Sequence, residues 1–256
     1  MGRVLPLRVR IACFGVAGLL AGCAGSSASR ANDAPTQTPA AVASPSTMPP
    51  TATSLPKPRV THALAAPVPF RSNVSAVTAA DLGKSWHPGC PVGPSALRAL
   101  TMTFWGFDHQ AHSGSLIVNA SAVTAVRDAF HVMYDGRFPI RRMVPIAAYG
   151  GDDNKSMAAD NTSAFNCRYA VANGPKSWSM HAYGEAVDID TLENPYTLDG
   201  RVYPPAGKPY TDRSRQRGGM IVPGSLPVRA FSSVGWGWGG RWSSSPDYQH
   251  FSANGR

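Results

Sequence analysis

A long segment near the amino terminus divides this chain and confines any packed fold to the residues after it. Between residues 24 and 59 most positions are alanine, serine, threonine or proline. Apolar residues do not recur there at a helical or strand period, so the segment cannot bury enough surface to offset its conformational entropy. We predict an extended, partly polyproline tether over residues 24–59 and one folded domain over residues 60–256.

The composition of the chain favours a turn-rich domain, either α+β or mostly β. Charged residues make up only 15% of the 256 positions, and the 25 Gly and 23 Pro residues disfavour long coiled coils and helical bundles. A hydrophobic content of 43% is enough for a packed core. The net charge of +9 suits an anionic partner. Because export is predicted below, that partner is expected to be cell wall and not nucleic acid.

The first 23 residues carry the features of a bacterial lipoprotein signal in the right order. Three arginines precede an apolar stretch from Ile11 to Leu20, which is too short to span a bilayer comfortably. The stretch ends in Leu-Ala-Gly-Cys, which resembles a lipobox, so Cys23 is the expected site of acylation. An ordinary cleaved signal or a short anchor is the alternative. We predict an extracytoplasmic lipoprotein that contacts the membrane only through the lipid on Cys23.

Two cysteines, Cys90 and Cys167, lie in the predicted domain. In an exported chain a disulfide between them is the expected outcome. A thiol catalyst or a pair of metal ligands is the competing interpretation, but neither cysteine belongs to a CxxC motif.

Hydrophobic periodicity predicts a small sheet and one clear helix. Leu97–Phe107 is rich in strand-forming residues, and Leu116–Val118 is expected to pair with it across a turn at Gly114. Ser121–Tyr134 has apolar residues at helical spacing. Met143–Tyr149 has the composition of a buried strand interrupted by a proline.

The stretch Ser179–Asp188 places a histidine, His181, at a loop or strand end, seven residues before an aspartate. Gly184 permits the turn between them. The alternation over residues 186–190 predicts a strand in which Asp188 and Asp190 point the same way, so Asp190 is a candidate to orient a ligand or to make structural hydrogen bonds.

A second histidine, His250, follows Asp247 by three residues near the carboxyl terminus. Two histidines and one aspartate are a reasonable three-ligand set for zinc that leaves a fourth position for water. Asp247 is then placed to accept a proton from that water as a general base. Spacing alone does not distinguish such a set from ordinary structural residues.

The full residue patterns around these histidines and aspartates are more specific than their spacing. The chain contains S-x-H-x-x-G-x-A-x-D, followed downstream by W-G-G-x-W and D-x-x-H-F. Together they resemble the zinc D-alanyl-D-alanine peptidases, a family that includes VanY-like carboxypeptidases, D-Ala-D-Ala dipeptidases and phage L-alanyl-D-glutamate endopeptidases. The resemblance extends over about Leu82 to Ser252. It implies an α+β fold with a small antiparallel sheet flanked by helices and long loops, as in lysostaphin-type peptidases and the hedgehog amino-terminal domain.

The resemblance also implies a set of roles. One zinc would be held by His181, Asp188 and His250, with Asp247 acting as general base and then as general acid. The implied substrates are peptidoglycan stem peptides, and the first expectation is a monomeric D,D-carboxypeptidase that releases the terminal D-Ala. An L-alanyl-D-glutamate endopeptidase with the same site, or a non-catalytic wall-binding module that keeps the zinc fold, are the alternatives.

One position departs from the family pattern. Members of the family often carry an oxyanion-stabilising arginine just after a tyrosine, but here Tyr149 is followed by Gly150. Arg168 is the candidate replacement, or a clamp for the substrate carboxylate, since a guanidinium can hold a carboxylate through two parallel hydrogen bonds. A structural role is the alternative for Arg168. Ser179 matches a family serine and is expected to contact substrate or to cap its loop.

Two further groups have both a functional and a structural interpretation. Trp238 and its neighbouring tryptophans are candidates to line a groove for glycan or peptide, although aromatic residues more often lie in a core. Arg213, Arg215 and Arg217 form a basic run that suits either contact with anionic wall polymers or a solvated loop.

Overall fold

The computed structural model describes residues 68–171 and 175–256. The predicted signal, the lipobox at Cys23, the tether and the first residues of the predicted domain lie outside this part of the chain. Within it, we find no helix with the length and apolar character needed to cross a membrane.

The described residues form short helices and strands joined by long loops. The α-helices are α1 (Ala79–Leu82), α2 (Val123–Asp135), α3 (Asp153–Ala158), α4 (Met180–Tyr183) and α5 (Leu226–Ser233). The strands are β1 (Ser72–Ala76), β2 (Leu97–Gly106), β3 (Ala111–Asn119), β4 (Pro139–Ile140), β5 (Ala186–Asp188), β6 (Tyr196–Leu198), β7 (Arg201–Tyr203), β8 (Gly237–Trp238) and β9 (His250–Ser252). Turns of 3₁₀-helix cover Gly83–Ser85, Pro94–Ala96, Ile146–Tyr149, Pro205–Tyr210 and Gly239–Arg241.

The larger sheet is built around β2, the strand that the sequence predicted most clearly. Antiparallel β1 and β3 pair with it, and the two residues of β4 add a short parallel pairing at its end. Leu100, Met102 and Phe104 alternate along β2 and are all buried, as expected for a strand with one face on a core. The predicted α+β class with small antiparallel sheets is confirmed.

The predicted helix is α2, which packs against β2 and α5. Val126, Phe130 and Met133 recur at helical spacing and are buried. The ring of Phe130 meets that of Phe231 on α5 edge to face, with centroids 6.1 Å apart. The helix therefore fixes α5 over the sheet and closes one side of the core.

A smaller antiparallel sheet, in the order β5–β9–β8, lies on the same core, while β6 and β7 form a separate hairpin. Val187 of β5 and Phe251 of β9 are fully buried and belong to the cluster that includes Phe130 and Phe231. The two strands that carry the predicted metal ligands are therefore anchored from behind by the main core.

Two predicted details were wrong. Gly114 lies inside β3 and not in a turn; a Cβ there would lie 2.5 Å from the Met143 side chain, so glycine admits a close chain crossing. The segment Met143–Tyr149 is not a strand. Met143 alone makes a β-bridge, to Thr162, and the chain then turns into 3₁₀-helix after Pro145, which has no N–H to donate to a sheet.

The predicted disulfide between Cys90 and Cys167 is present. It links two segments 77 residues apart, and Cys167 packs beside a second small core that contains Leu82 and Phe165. A disulfide is typical of proteins in oxidising compartments, so it favours an extracytoplasmic location. Because Arg168 follows Cys167 directly, the bond also anchors one wall of the site described below.

We predict that the double substitution Cys90→Ser and Cys167→Ser lowers the free energy of unfolding by up to about 4.5 kcal/mol, because the unfolded chain regains the entropy of a long open loop. Urea unfolding would measure the loss. A dithiol reductant should destabilise the wild-type protein to the same extent and leave the double variant unchanged. Equal reductant sensitivity of the two proteins would contradict the prediction.

Candidate metal centre and its cavity

His181, Asp188 and His250 meet in one buried group, as the sequence predicted. Nε2 of His181 lies 3.1 Å from Oδ2 of Asp188, and Nδ1 of His250 lies 3.0 Å from Oδ1 of the same carboxylate. The two ring nitrogens are 3.2 Å apart. All three residues are 5% exposed or less. Three side chains far apart in sequence thus present one ligand atom each to a common point.

Strand pairing brings two of the three ligands together. Asp188 on β5 lies directly opposite His250 on β9. The neighbouring pair is hydrogen-bonded, with the Ile189 N–H donating to the Gln249 carbonyl. Asp188 and His250 therefore form a non-hydrogen-bonded pair, the type in which opposed side chains of an antiparallel ladder lie closest.

The third ligand comes from the short helix α4 and not from a strand end. The Ser179 hydroxyl caps this helix by accepting a hydrogen bond from the His181 N–H at 3.2 Å. Gly184 ends it with a φ of 71°, and its carbonyl accepts from the Asn119 N–H at 2.8 Å. A Cβ on Gly184 would lie 2.6 Å from that same nitrogen. Glycine is therefore required for α4 to dock on the end of β3.

The outer nitrogens of both imidazoles have hydrogen-bond acceptors, which fixes their tautomers. Nδ1 of His181 lies 2.6 Å from the Ala164 carbonyl, and Nε2 of His250 lies 3.3 Å from the backbone oxygen of Arg256. Each of these nitrogens must carry its proton to donate. Nε2 of His181 and Nδ1 of His250 are then left as lone-pair acceptors facing Asp188, as in metal-binding histidines.

This arrangement fits a divalent ion bound in tetrahedral geometry. Ligand atoms about 2.0–2.1 Å from such an ion lie roughly 3.3 Å from one another. The two histidine nitrogens are 3.2 Å apart, and each lies 3.0–3.1 Å from one of the two oxygens of Asp188. Buried acceptors that face each other repel unless a cation lies between them. An ionised carboxylate is the form that a cation requires.

A cavity of about 830 Å³ opens beside this group, and Asp247 lies in its wall together with His181 and His250. Oδ1 of Asp247 is enclosed and has no hydrogen-bond partner. Burial and the charge of Asp188 raise the pKa of Asp247 to about 7. A carboxylate with this pKa can both accept and release a proton near neutral pH.

The W-G-G-x-W motif is explained by packing behind the site. A Cβ on Gly239 would lie 2.8 Å from the Asp247 carbonyl oxygen and 3.2 Å from the His250 Cβ. A Cβ on Gly240 would lie 2.2 Å from the ring of Trp238. The two glycines therefore let this segment pass close to the residues that carry the chemistry.

The expectation that Trp238 lines a groove is not met. Trp238 is 5% exposed, belongs to the main core, and its indole N–H donates to the Tyr248 carbonyl at 2.9 Å. The tryptophans in the cavity wall are Trp178 and Trp242. Trp238 lies on β8 and packs into the core, whereas Trp242 follows the 3₁₀ turn, is partly buried and donates its indole N–H to the Gly255 carbonyl at 3.0 Å.

Arg168 does line the cavity, as its proposed role requires. Its Nε lies 3.0 Å from Oδ2 of Asp153, another wall residue, and about a quarter of the side chain is exposed. The positive charge of Arg168 acts on Asp247 by lowering its pKa, against the larger opposing effects. Nη1 of Arg168 donates to the Tyr169 carbonyl at 3.5 Å, which leaves the donors on Nη2 available for an anionic group.

Asp190 has a structural role. Strand β5 ends at Asp188, and Asp190 has a φ of 42°. The strand alternation therefore does not reach Asp190, and its side chain is not aligned with that of Asp188. Its Oδ1 accepts from the Arg141 N–H at 2.8 Å and lies 3.3 Å from the Thr162 hydroxyl. These bonds join neighbouring loops and do not orient a metal ligand.

Arg213 is a residue whose role sequence reasoning missed. It is not part of a solvated run, because its guanidinium donates to the Glu193 carbonyl and to Oδ1 of Asn194 and stacks 4.4 Å over the ring of Tyr248. Burial lowers its pKa to about 10. The nearby Arg215, by contrast, is largely exposed, and no local pattern separates the two arginines.

We predict that dialysis against a chelator lowers the melting temperature of the protein and that one equivalent of zinc restores it, because the buried acceptors then lose the cation that offsets their repulsion. Calorimetry and metal analysis would measure both effects. The variant His181→Ala should bind no zinc, and the chelator should not change its melting temperature. His112→Ala is the matched control, since His112 contacts Asp108 and Phe104 and does not line the cavity; loss of zinc in this control would contradict the assignment.

Comparison with known proteins agrees with this geometry. A family model described as D-alanyl-D-alanine carboxypeptidase matches residues 172–253, about a third of the chain. Searches of the curated proteins and of the solved structures found no significant match. The matched stretch contains His181, Asp188, Asp247 and His250, whereas the predicted resemblance before residue 172 receives no support from it. The carboxyl-terminal part of the domain is thus similar to the D-alanyl-D-alanine carboxypeptidase family, and this similarity supports a metallopeptidase.

Proposed function

We propose that the protein is a zinc peptidase that hydrolyses peptidoglycan stem peptides and acts as a D,D-carboxypeptidase. The observation that carries the proposal is the buried His181–Asp188–His250 group with an unpartnered carboxylate, Asp247, beside it in an open cavity. A purely structural metal site has no need for an additional acid of raised pKa in the adjoining cavity. The family match adds the reaction class.

The donor set is one that zinc accepts, with two imidazole nitrogens and one carboxylate oxygen. Bound there, zinc would polarise the scissile carbonyl and make water at the site more acidic. The negative charge of Asp188 weakens this effect compared with three neutral imidazoles. A protein base next to the site is therefore needed more than in an all-histidine centre.

Asp247 is the residue placed to supply that base. Its carboxylate would accept a proton from the attacking water as the oxygen approaches the scissile carbonyl. The same carboxyl group would then give the proton to the departing amine of D-Ala. Burial raises the pKa of Asp247, which favours the protonated form that the second transfer needs.

Arg168 is the proposed partner of the anionic part of the substrate. A carboxypeptidase substrate ends in a free carboxylate, and a guanidinium with free donors in the cavity wall is suited to bind it. Stabilisation of the oxyanion is the other role open to Arg168. Ser179 lines the cavity as well, but its hydroxyl already caps α4, so we assign it a positioning role first.

We further propose that the protein is a lipoprotein of the cell envelope, attached through a lipid on Cys23 and acting as a monomer without nucleic acid as a partner. The disulfide supports the compartment. The order of charged residues, apolar residues and Cys23 at the amino terminus supports the anchor.

We predict that the zinc-loaded protein removes one alanine from a pentapeptide stem and that Asp247→Ala slows this hydrolysis by about 10²–10⁴-fold without loss of zinc, because general acid–base catalysis is lost. Mass spectrometry of the products and metal analysis would measure the two properties. Asp135→Ala, at an exposed carboxylate paired only with His131, is the control and should retain full activity.

The products distinguish the proposed reaction from its alternatives. Cleavage after the L-Ala of the stem would identify an endopeptidase and contradict the carboxypeptidase assignment. Binding of stem peptides without any cleavage under zinc-replete conditions would indicate a wall-binding module.

We predict that Arg168→Ala raises KM for a pentapeptide with a free carboxylate by about 10–100-fold, the value of a hydrogen-bonded charged group. The wild type should cleave the amidated pentapeptide poorly, and Arg168→Ala should not raise KM for this peptide further. Arg127→Ala, on α2 next to Asp128, is the control. A drop in kcat on both peptides would instead assign Arg168 to the oxyanion.

A further inference from the structure

The cavity is larger than the reacting end of the proposed substrate requires. Its volume of about 830 Å³ lies in the upper part of the range of about 300–1,000 Å³ found for sites that enclose drug-sized ligands. A D-Ala-D-Ala end is much smaller than such a ligand. The remaining wall is therefore available to contact the residues of a stem that precede this end.

Aromatic side chains supply much of that remaining wall. Trp178, Tyr196, Tyr203 and Trp242 all line the cavity, and they come from three separate parts of the chain. Large flat side chains offer extensive contact surface at a low cost in conformational entropy. Such a wall suits the backbone and methylene groups of an extended peptide.

Trp178 is the best positioned of these residues. It forms an antiparallel bridge with Tyr169, and the two rings stack with centroids 4.0 Å apart and planes 14° apart. The ammonium of Lys176 lies 3.9 Å from the centre of the Tyr169 ring. Since this stack covers one face of the indole, Trp178 is supported from behind while it lines the cavity.

The segments around Tyr169 and Trp178 form a two-stranded ribbon that also connects Trp178 to the metal centre. The Ser179 N–H donates to the Arg168 carbonyl at 3.1 Å, and the Ala170 N–H donates to the Ser177 carbonyl at 2.9 Å. Tyr196, from a separate part of the chain, also holds this ribbon, because its hydroxyl donates to the Val171 carbonyl at 3.0 Å. Trp178 is therefore fixed relative to both Arg168 and the helix that carries His181.

We propose that Trp178 determines substrate length: its indole packs against the part of an extended stem peptide that precedes D-Ala-D-Ala, so that longer stems are selected over short ones. This inference rests on the proposed function of the same site. The contact adds to the chemistry at the metal centre and leaves the reacting atoms untouched. It should therefore change KM and not kcat.

The test compares a pentapeptide stem with a blocked tripeptide that ends in D-Ala-D-Ala. We expect the wild type to favour the pentapeptide and Trp178→Ala to reduce the ratio of the two kcat/KM values by about tenfold, mainly through KM, as expected for loss of one well-packed aromatic contact. Trp178→Phe should keep most of the preference. Trp105→Ala is the control, because Trp105 lies on β2 against Arg137, away from the cavity wall, and should leave the ratio unchanged.

Binding measurements separate this inference from the proposed reaction. Calorimetric titration of both peptides into zinc-loaded Asp247→Ala protein, with and without Trp178→Ala, needs no turnover. A Trp178-dependent preference in Kd would support the inference even if the wild type hydrolyses neither peptide. The inference is overturned if neither peptide binds, if Trp178→Ala weakens both equally, or if a preference arises only when the stem carries its disaccharide, which would assign the wall to sugar.

Discussion

The structure depends on three buried acceptors that face one another without a donor between them. The lone pairs of two imidazoles and a carboxylate converge within little more than 3 Å, and this arrangement is unfavourable in a protein interior unless a cation compensates it. The other features of the site follow from this constraint. The outer imidazole nitrogens have acceptors, the strands that hold two of the ligands are anchored in the main core, and the second acid, Asp247, lies outside the group in the wall of the adjoining cavity.

The fold meets the constraint by bringing together elements of different kinds. A cross-strand pair supplies two ligands, and its spacing is a property of the antiparallel ladder itself. A four-residue helix supplies the third, and it is held by the capping hydroxyl of Ser179 and by a glycine contact with the end of β3. Neither part would be stable alone. Both are short elements whose positions come from the hydrophobic core behind them.

The sequence predicted the parts of the molecule that local chemistry controls. The strand β2 and the helix α2 have strong periodicity, and the disulfide follows from two cysteines in a chain that is expected to be exported. The ligand set came from the resemblance of its motifs to a peptidase family, because histidine and aspartate have many other roles. The errors arose where tertiary contacts decide. After Pro145 the chain forms a 3₁₀ turn where a strand was predicted, and Gly114 lies within a strand where a turn was predicted. The strand that contains Asp188 ends before Asp190, so the two side chains do not share a face. Trp238 and Trp242 lie in the same motif, but Trp238 is buried because it lies on a strand over the core, whereas Trp242 lines the cavity. The motif alone does not show this difference.

The ribbon that carries Arg168 and Trp178 extends across the start of the stretch that resembles the carboxypeptidase family. His181, Asp188, Asp247 and His250 lie within that stretch, while the wall residues Asp153, Arg168 and Val171 lie before it, in a portion with no such similarity. Substitutions at these three positions would reshape part of the cavity wall and leave His181, Asp188, Asp247 and His250 as they are. The shape of the cavity and its metal-binding residues can in this way diverge separately within one small domain.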